Sequence, residues 1–433
     1  MTYTSIINTD KGPVRGYVKD NCRIFKGIPF AAPPVGDLRF RAPQPHAPWT
    51  EVLTCDTFPY QCPQTRIEGG FYFKEFYSEP GDIQPSSEDC LYLNIWTPDE
   101  ADQSSSASGL PVLFWIHGGA FNHGAGSEKE FDGEAYARQG VILVTINYRV
   151  GSFGFLSLPE LAAEDGHGST GNYGILDQIF ALQWVKRNIS AFGGDPARVT
   201  IAGQSAGAMS VQALLSSPLT TGLFRGAIPQ SGGGIDAGLT KDLTREDADK
   251  WGRNLMQLLG VNTLEDLRKV PADDIVKADG ELARKFLFLP LRPVIDGYLL
   301  KETYHDVVVN GHLQDVPCMI GSTLDDIGAS HKDGVGGALE KAAVLFATAR
   351  SKVSEQPTYI YRFDRRLPGD QEGAFHSSEL WYMFGTLDRC WRPLTPHDFD
   401  LSRTMVSEWA AFVKGNAPFK AYTEETPFVR VYE

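Results

Sequence analysis

Residues 199–210 read VTIAGQSAGAMS, and they change secondary structure partway along. Val199, Thr200 and Ile201 are β-branched, and with Ala202 they have the make-up of a buried strand. From Ala206 onward the chain reads as a helix that continues through Val211, Leu214 and Leu215. A strand that turns abruptly into a helix has room only for glycine at Gly203 and Gly207, because a Cβ at either would strike a neighbouring strand or helix. The turn pushes Ser205 to its tip with Oγ exposed. The positive end of the helix lies beneath it, and the Ala206 N–H can donate to an anion. This is the arrangement of a nucleophile elbow in a serine hydrolase. A Gly-x-Ser-x-Gly match alone arises by chance, so its weight comes from its surroundings.

The bulk properties allow such a reading and exclude others. A chain of 433 residues can bury a large core without staples, and large α/β enzymes of this length often form one domain. The net charge of −14 argues against nucleic acid or an anionic membrane as partner. No apolar run approaches the ~18 residues of a membrane helix. The first residues lack a basic stretch followed by an apolar one, so no signal peptide is expected and the expected location is cytoplasmic. The six cysteines show no metal-ligand spacing, so no metal is expected, and they read as buried, reduced thiols.

Taken in order, the chain opens with short edge strands at 14–17 and 23–29 and a proline-rich turn at 33–36. Residues 61–90 read as a long loop carrying an aromatic cluster, Phe71 to Tyr77, either a local mini-core or the mouth of a pocket. Buried strands are expected at 91–96, 112–116, 141–148, 199–202 and 226–230, with later ones at 316–320 and 358–363. Helical spacing marks 177–188 and 402–412, and residues 240–290 read as helices outside the sheet, a cap. Strands alternating with helices imply a mostly parallel sheet with ligands at the carboxyl ends of its strands. With no internal repeat and no linker, residues 1–433 read as a single domain.

A serine hydroxyl needs a base, and the base needs an acid to hold its tautomer. On an α/β sheet of this kind the chain order is serine, acid, histidine. After Ser205, the strand at 316–320 leads into Asp325 and Asp326, of which one is expected to face the site. Of the nine histidines, His376 follows the next strand, whereas the others precede the serine or the acid, crowd the acid, or follow a surface turn. The oxyanion of ester attack needs fixed N–H donors, each worth ~3 kcal/mol in the transition state. His117-Gly118-Gly119-Ala120 at a strand end supplies them, which makes Gly118, Gly119 and Ala206 the expected oxyanion hole and His117 a positioning residue.

Several long motifs in this chain resemble those of the type-B carboxylesterases, the branch of the α/β-hydrolases that includes cholinesterases and bacterial p-nitrobenzyl esterases. They are FKGIPFA at 25–31, EDCLYLNI at 88–95, NYRVG at 147–151, GNYGILDQ at 171–178 and FGGDP at 192–196 running on to the elbow. The resemblance implies an α/β-hydrolase fold, Ser205 as nucleophile, His376 as base and Asp326 as acid, where the family usually carries Glu. It implies a disulfide between Cys62 and Cys90 in oxidised members and a structural ion pair of Arg39 with Glu88. Two further departures stand out. Gln204 replaces the usual Glu before the nucleophile, which makes strong selection of cationic substrates unexpected. The segment between Asp326 and His376 is shortened, which suggests a more open entrance.

The implied function is hydrolysis of a small-molecule carboxylic ester through an acyl-enzyme, with no cofactor. Phe121, Phe288 and Phe384 are candidates for acyl-pocket walls, with core packing the equal alternative. A feruloyl or plant-cell-wall type of esterase is an alternative substrate class, and a non-catalytic cholinesterase-like binding protein the alternative of a different kind.

Overall fold

The β-branched and apolar runs pair into one eleven-stranded sheet. The structure is a computed structural model describing residues 1–99, 109–237, 242–285, 291–329 and 337–433. The strands are β1 (Thr2–Tyr3), β2 (Tyr17–Lys19), β3 (Cys22–Pro29), β4 (Tyr92–Pro98), β5 (Leu110–Ile116), β6 (Ile142–Ile146), β7 (Gly194–Gln204), β8 (Gly226–Gln230), β9 (Cys318–Thr323), β10 (Thr358–Phe363) and β11 (Val429–Tyr432). Their order across the sheet is β1-β2-β3-β4-β6-β5-β7-β8-β9-β10-β11. The pairings from β1 to β6 are antiparallel. Those from β6 onward are all parallel.

The parallel part is covered on both faces, as its sequence requires. On β5, Val112, Phe114 and Ile116 join one core while Leu113 and Trp115 join the other, and all five are fully buried. The chain leaves β5 for β6 on one side and returns to β7 on the other, so the end of β5 is a switch point, where crevices form in open α/β sheets.

The helices used below are α1 (Gly70–Phe76), α2 (Tyr173–Asn188), α3 (Ala206–Ser216), α4 (Arg245–Leu259), α5 (Leu264–Lys269), α6 (Ala272–Ala283), α7 (Gly337–Arg350) and α8 (Pro396–Lys414). Helices α4 to α6 are the expected cap. Asp279 of α6 ties the cap down by accepting from the Ser152 N–H at 2.8 Å and its hydroxyl at 2.5 Å. Arg39 pairs with Glu88 at 2.5 and 2.7 Å and donates to the Arg268 and Val270 carbonyls at the end of α5.

Four expectations change. Residues 14–17 are not one strand: Pro13–Arg15 pairs in a separate three-stranded sheet, and the chain breaks at Gly16, where a Cβ would overlap the Ile24 carbonyl. The loop at 61–90 contains α1. The last helix begins at Pro396 rather than 402, because Thr395 and Asp398 form a capping box there. Cys62 and Cys90 are joined in a disulfide rather than reduced, as the resemblance implied, while Cys22, Cys55 and Cys318 are buried free thiols. The loop tip at 100–108 lies outside the described residues. Among the described residues no helix is long and apolar enough to cross a membrane, and no cluster of His, Cys, Asp and Glu could hold a metal ion.

Candidate active site

The elbow forms for the steric reason read from its glycines. A Cβ on Gly203 would lie 2.5 Å from the Gly207 oxygen and 2.8 Å from the Ile116 oxygen, and one on Gly207 would overlap the Ile116 carbonyl. Ser205 itself takes φ 57° and ψ −122°, a conformation that costs ~1–3 kcal/mol outside glycine and persists because both flanking elements hold it. Its N–H donates to the Gln230 carbonyl at 2.9 Å, and its carbonyl accepts from Met209 at 3.1 Å as α3 begins.

The loop after β5 lies directly against this turn. A Cβ on Gly118 would sit 2.8 Å from the Gln204 oxygen and 3.2 Å from the Ser205 Cβ, so only glycine lets the loop come this close. Gly119, Ala120 and Phe121 all have positive φ, at 99°, 54° and 60°. The Gly119 carbonyl is turned inward to accept from Asn122 and His123. Among the described residues, the N–H groups of Gly118, Gly119 and Ala206 donate to no other group of the chain. His117 is fully buried, shares a 2.9 Å hydrogen bond between Nδ1 and the Gly118 carbonyl, and stacks on Tyr148 at 4.3 Å between centroids. Burial pushes its imidazole down to about 3, so it stays neutral and positions the loop.

The third loop follows β9. Asp326 Oδ1 lies 2.5 Å from His376 Nδ1 and accepts from the Ile327 N–H at 2.8 Å, while Oδ2 accepts from the Thr323 N–H at 2.9 Å. Asp325 points the other way: its Oδ2 accepts from the Ala374 N–H at 2.8 Å and its Oδ1 from Arg366 at 3.4 Å. One carboxylate therefore holds the imidazole and its neighbour holds the backbone that carries the imidazole. Burial pushes the Asp326 carboxyl up, but the charge and hydrogen bond of His376, with the Thr323 N–H and Ser231 hydroxyl, hold it below the usual range. Burial would lower His376, yet Asp326 by charge and hydrogen bond, with a contribution from Glu379, raises it above the usual imidazole value.

Ser205 makes no hydrogen bond to the imidazole here. Instead the Gln204 side-chain nitrogen lies 3.2 Å from His376 Nε2 and 3.5 Å from Nδ1.

Several residues of this site carry no motif. Tyr72 on α1 donates to the His376 carbonyl at 3.2 Å, and Phe71 packs edge-on against Phe375 at 4.7 Å. Helix α1 is anchored by Glu75, which is fully buried and accepts from Trp381, Trp391 and the Arg392 guanidinium, itself paired with Asp370. Glu379, close to Asp326 and His376, is raised to about 7 by burial and then by the charge of Asp326, and its carboxyl accepts from the Ser231 hydroxyl at 3.5 Å. The aromatic density at 71–77 was the visible signal for α1; nothing local marks Glu379 or Ser231.

Of the acyl-wall candidates, two lie among the described residues, and both are packed in the interior. Phe384 is fully buried against Trp115 and Phe131, and Phe121 is fully buried against Phe155. Phe288 lies outside the described residues, as do residues 330–336 of the shortened segment between Asp326 and His376.

The carboxylesterase family model matches residues 3–341. The chain is 36% identical to the para-nitrobenzyl esterase of Bacillus subtilis, over 98% of this chain and 94% of that one. It is 39% identical to the fumonisin B1 esterase of Sphingopyxis macrogoltabida, over 74% of this chain and 56% of that one. A solved PNB esterase superposes with a TM-score of 0.85 at 34% identity, over 99% of this chain and 95% of that one. On sequence and on fold alike, the chain belongs to the carboxylesterase family and is a carboxylic-ester hydrolase.

Proposed function

We propose that this protein hydrolyses small-molecule carboxylic esters through an acyl-enzyme on Ser205, with His376 as base and Asp326 as its acid. The Nδ1–H of His376 donates to Asp326, which leaves Nε2 unprotonated to take the Ser205 proton. Ser205 attacks the ester carbonyl. The N–H groups of Gly118, Gly119 and Ala206 receive the oxyanion, and imidazolium Nε2–H then protonates the departing alkoxide. Water, deprotonated by the same nitrogen, attacks the acyl-enzyme, and collapse of the second tetrahedral intermediate releases the acid and restores Ser205.

The observation that carries the reading is the convergence of three loops. A 2.5 Å carboxylate–imidazole pair lies against the side chain of Gln204, the neighbour of a strained Ser205, and the Gly118 loop packs on the same turn. That Ser205 and His376 share no hydrogen bond here fits this reading, because such hydrogen bonds commonly form or tighten only when substrate is bound. Ser205→Ala is expected to lower hydrolysis of p-nitrophenyl butyrate by about 10⁴-fold or more, with an unchanged circular dichroism spectrum. A folded Ser205→Ala protein with near-normal turnover would place the nucleophile elsewhere.

A further inference from the structure

Among the described residues nine non-glycine positions have positive φ, and five of them, Ala120, Phe121, Ser205, Ser231 and Ser377, lie in the loops of this site. Four of the five have a reason already in view. Ala120 and Phe121 bend the loop that carries Gly118 and Gly119, Ser205 is the tip of the elbow, and the Ser231 hydroxyl donates to Glu379. Ser377 has no such reason. Its φ is 81°, a backbone that glycine takes freely and that costs a serine free energy. Among the described residues its hydroxyl has no hydrogen-bond partner. The segment from the imidazole onwards is unevenly covered. Ser378 and Glu379 are 0% exposed, whereas His376 keeps 7% and Ser377 9%. The Ser378 hydroxyl is sealed from solvent, and that of Ser377 is not. The polar groups around the imidazole are engaged elsewhere: the Tyr72 hydroxyl on the His376 carbonyl, Asp326 on Nδ1, and the Gln204 amide 3.2 Å from Nε2.

We infer that the Ser377 hydroxyl shares the opening through which substrate reaches His376 and is a specificity contact for the alcohol side of the ester, in the hydrolysis proposed above, on which this inference rests. A strained residue beside a reacting group points to a side chain kept for function, because a glycine would hold the same backbone without the cost. The side of the ester follows from the chemistry. The acyl oxygen is turned to the N–H groups of Gly118, Gly119 and Ala206, while the alcohol oxygen comes to His376 Nε2 to be protonated. The residue that follows His376 therefore meets the alcohol part. A serine hydroxyl both donates and accepts. The alcohol it fits carries a second hydroxyl next to the ester oxygen, as in a glycol or glycerol monoester. A plain alkyl ester gives it nothing to bond and displaces the water that it would otherwise hold.

The test compares wild type with Ser377→Ala and Ser377→Gly. The first removes the hydroxyl and keeps the strain; the second removes both. The measurement is the ratio of kcat/KM on 2-hydroxyethyl butyrate to kcat/KM on propyl butyrate, two esters of the same acid whose alcohols differ by a hydroxyl in place of a methyl, with acid release followed by pH-stat. In both variants the ratio falls about fivefold from the wild-type value, the size of one neutral hydrogen bond. Because it is a ratio, a general loss of activity or of folded protein leaves it where it was. A wild-type ratio in either variant overturns the inference. Ser205→Ala, assayed on the same two esters, separates the two readings. If it is inactive and the ratio is unmoved in the Ser377 variants, only the role of Ser377 falls; if it is active, both fall.

Discussion

The two halves of the site are built by opposite means. The half carrying Ser205 is local: Gln204, Ser205 and Ala206 are consecutive, and their geometry follows from two glycines squeezed between β5 and α3. The half carrying His376 is assembled from a distance. Its acid lies 50 residues upstream, its carbonyl is held by Tyr72 from a helix 304 residues away in sequence, and that helix is fastened by the buried Glu75–Arg392 pair. The first half is fixed by excluded volume, which does not relax. The second depends on a chain of hydrogen bonds and buried charges, each of which can be removed singly.

The largest test of this contrast sits on the two adjacent aspartates. Asp326→Asn is expected to lower kcat by about 10⁴-fold, because an amide can hold the wrong tautomer of the imidazole. Asp325→Asn, which weakens one backbone hydrogen bond at Ala374, is expected to cost about 1 kcal/mol of stability and only a few-fold in rate. Kinetics on both variants would reverse the assignment if the order were inverted. Next, Glu75→Gln leaves Asp370 as the remaining counter-charge of the buried Arg392 and should lower stability by about 2 kcal/mol in urea unfolding. It should also lower kcat in the fraction still folded, as α1 loosens from the His376 carbonyl. Unchanged kcat would detach α1 from the site. Gly207→Ala works on the local half: overlap with the Ile116 carbonyl should cost about 1–3 kcal/mol. A variant as stable as wild type would show that the elbow has more room than its contacts suggest.

The smallest effect is on pH. In the proposed reaction His376 must be neutral to accept the serine proton, and Asp326 and Glu379 raise its value above 6.5 against the opposing effect of burial. The acid limb of kcat/KM should therefore lie above that value, with activity lost as pH falls through it. Asp326→Asn should move what activity remains to lower pH. A wild-type limb below 6.5 would mean that burial dominates.

What was legible in the sequence matches this division. The strand at 358–363 was read with its observed ends, and the cap helices were anticipated from amphipathic spacing, because period and burial are written locally. Helix α1 was not. Seven residues beginning Gly70-Phe71-Tyr72 have little helical preference of their own, and the helix exists because Glu75 finds Arg392 and two tryptophans across the fold. For Phe384, pocket wall and core packing are equal readings of the sequence, because an isolated aromatic carries no local sign of the face of the sheet it joins. The long motifs pointed to Asp326 over Asp325, but which carboxylate turns towards the imidazole is a matter of coordinates.

By itself, the sequence determined the elbow, the glycine loop after β5 and the parallel core, since each follows from steric and apolar patterning within a dozen residues, whereas Asp326 and His376 were picked out by the fold's chain order and by the resemblance. Tertiary structure alone decided the Gln204 amide beside the imidazole, the Tyr72 bond to the His376 carbonyl, and Glu379 beside Asp326 and His376. These are contacts between groups far apart along the chain, and hydrogen bonds and charges at that range have no periodicity by which a sequence could announce them.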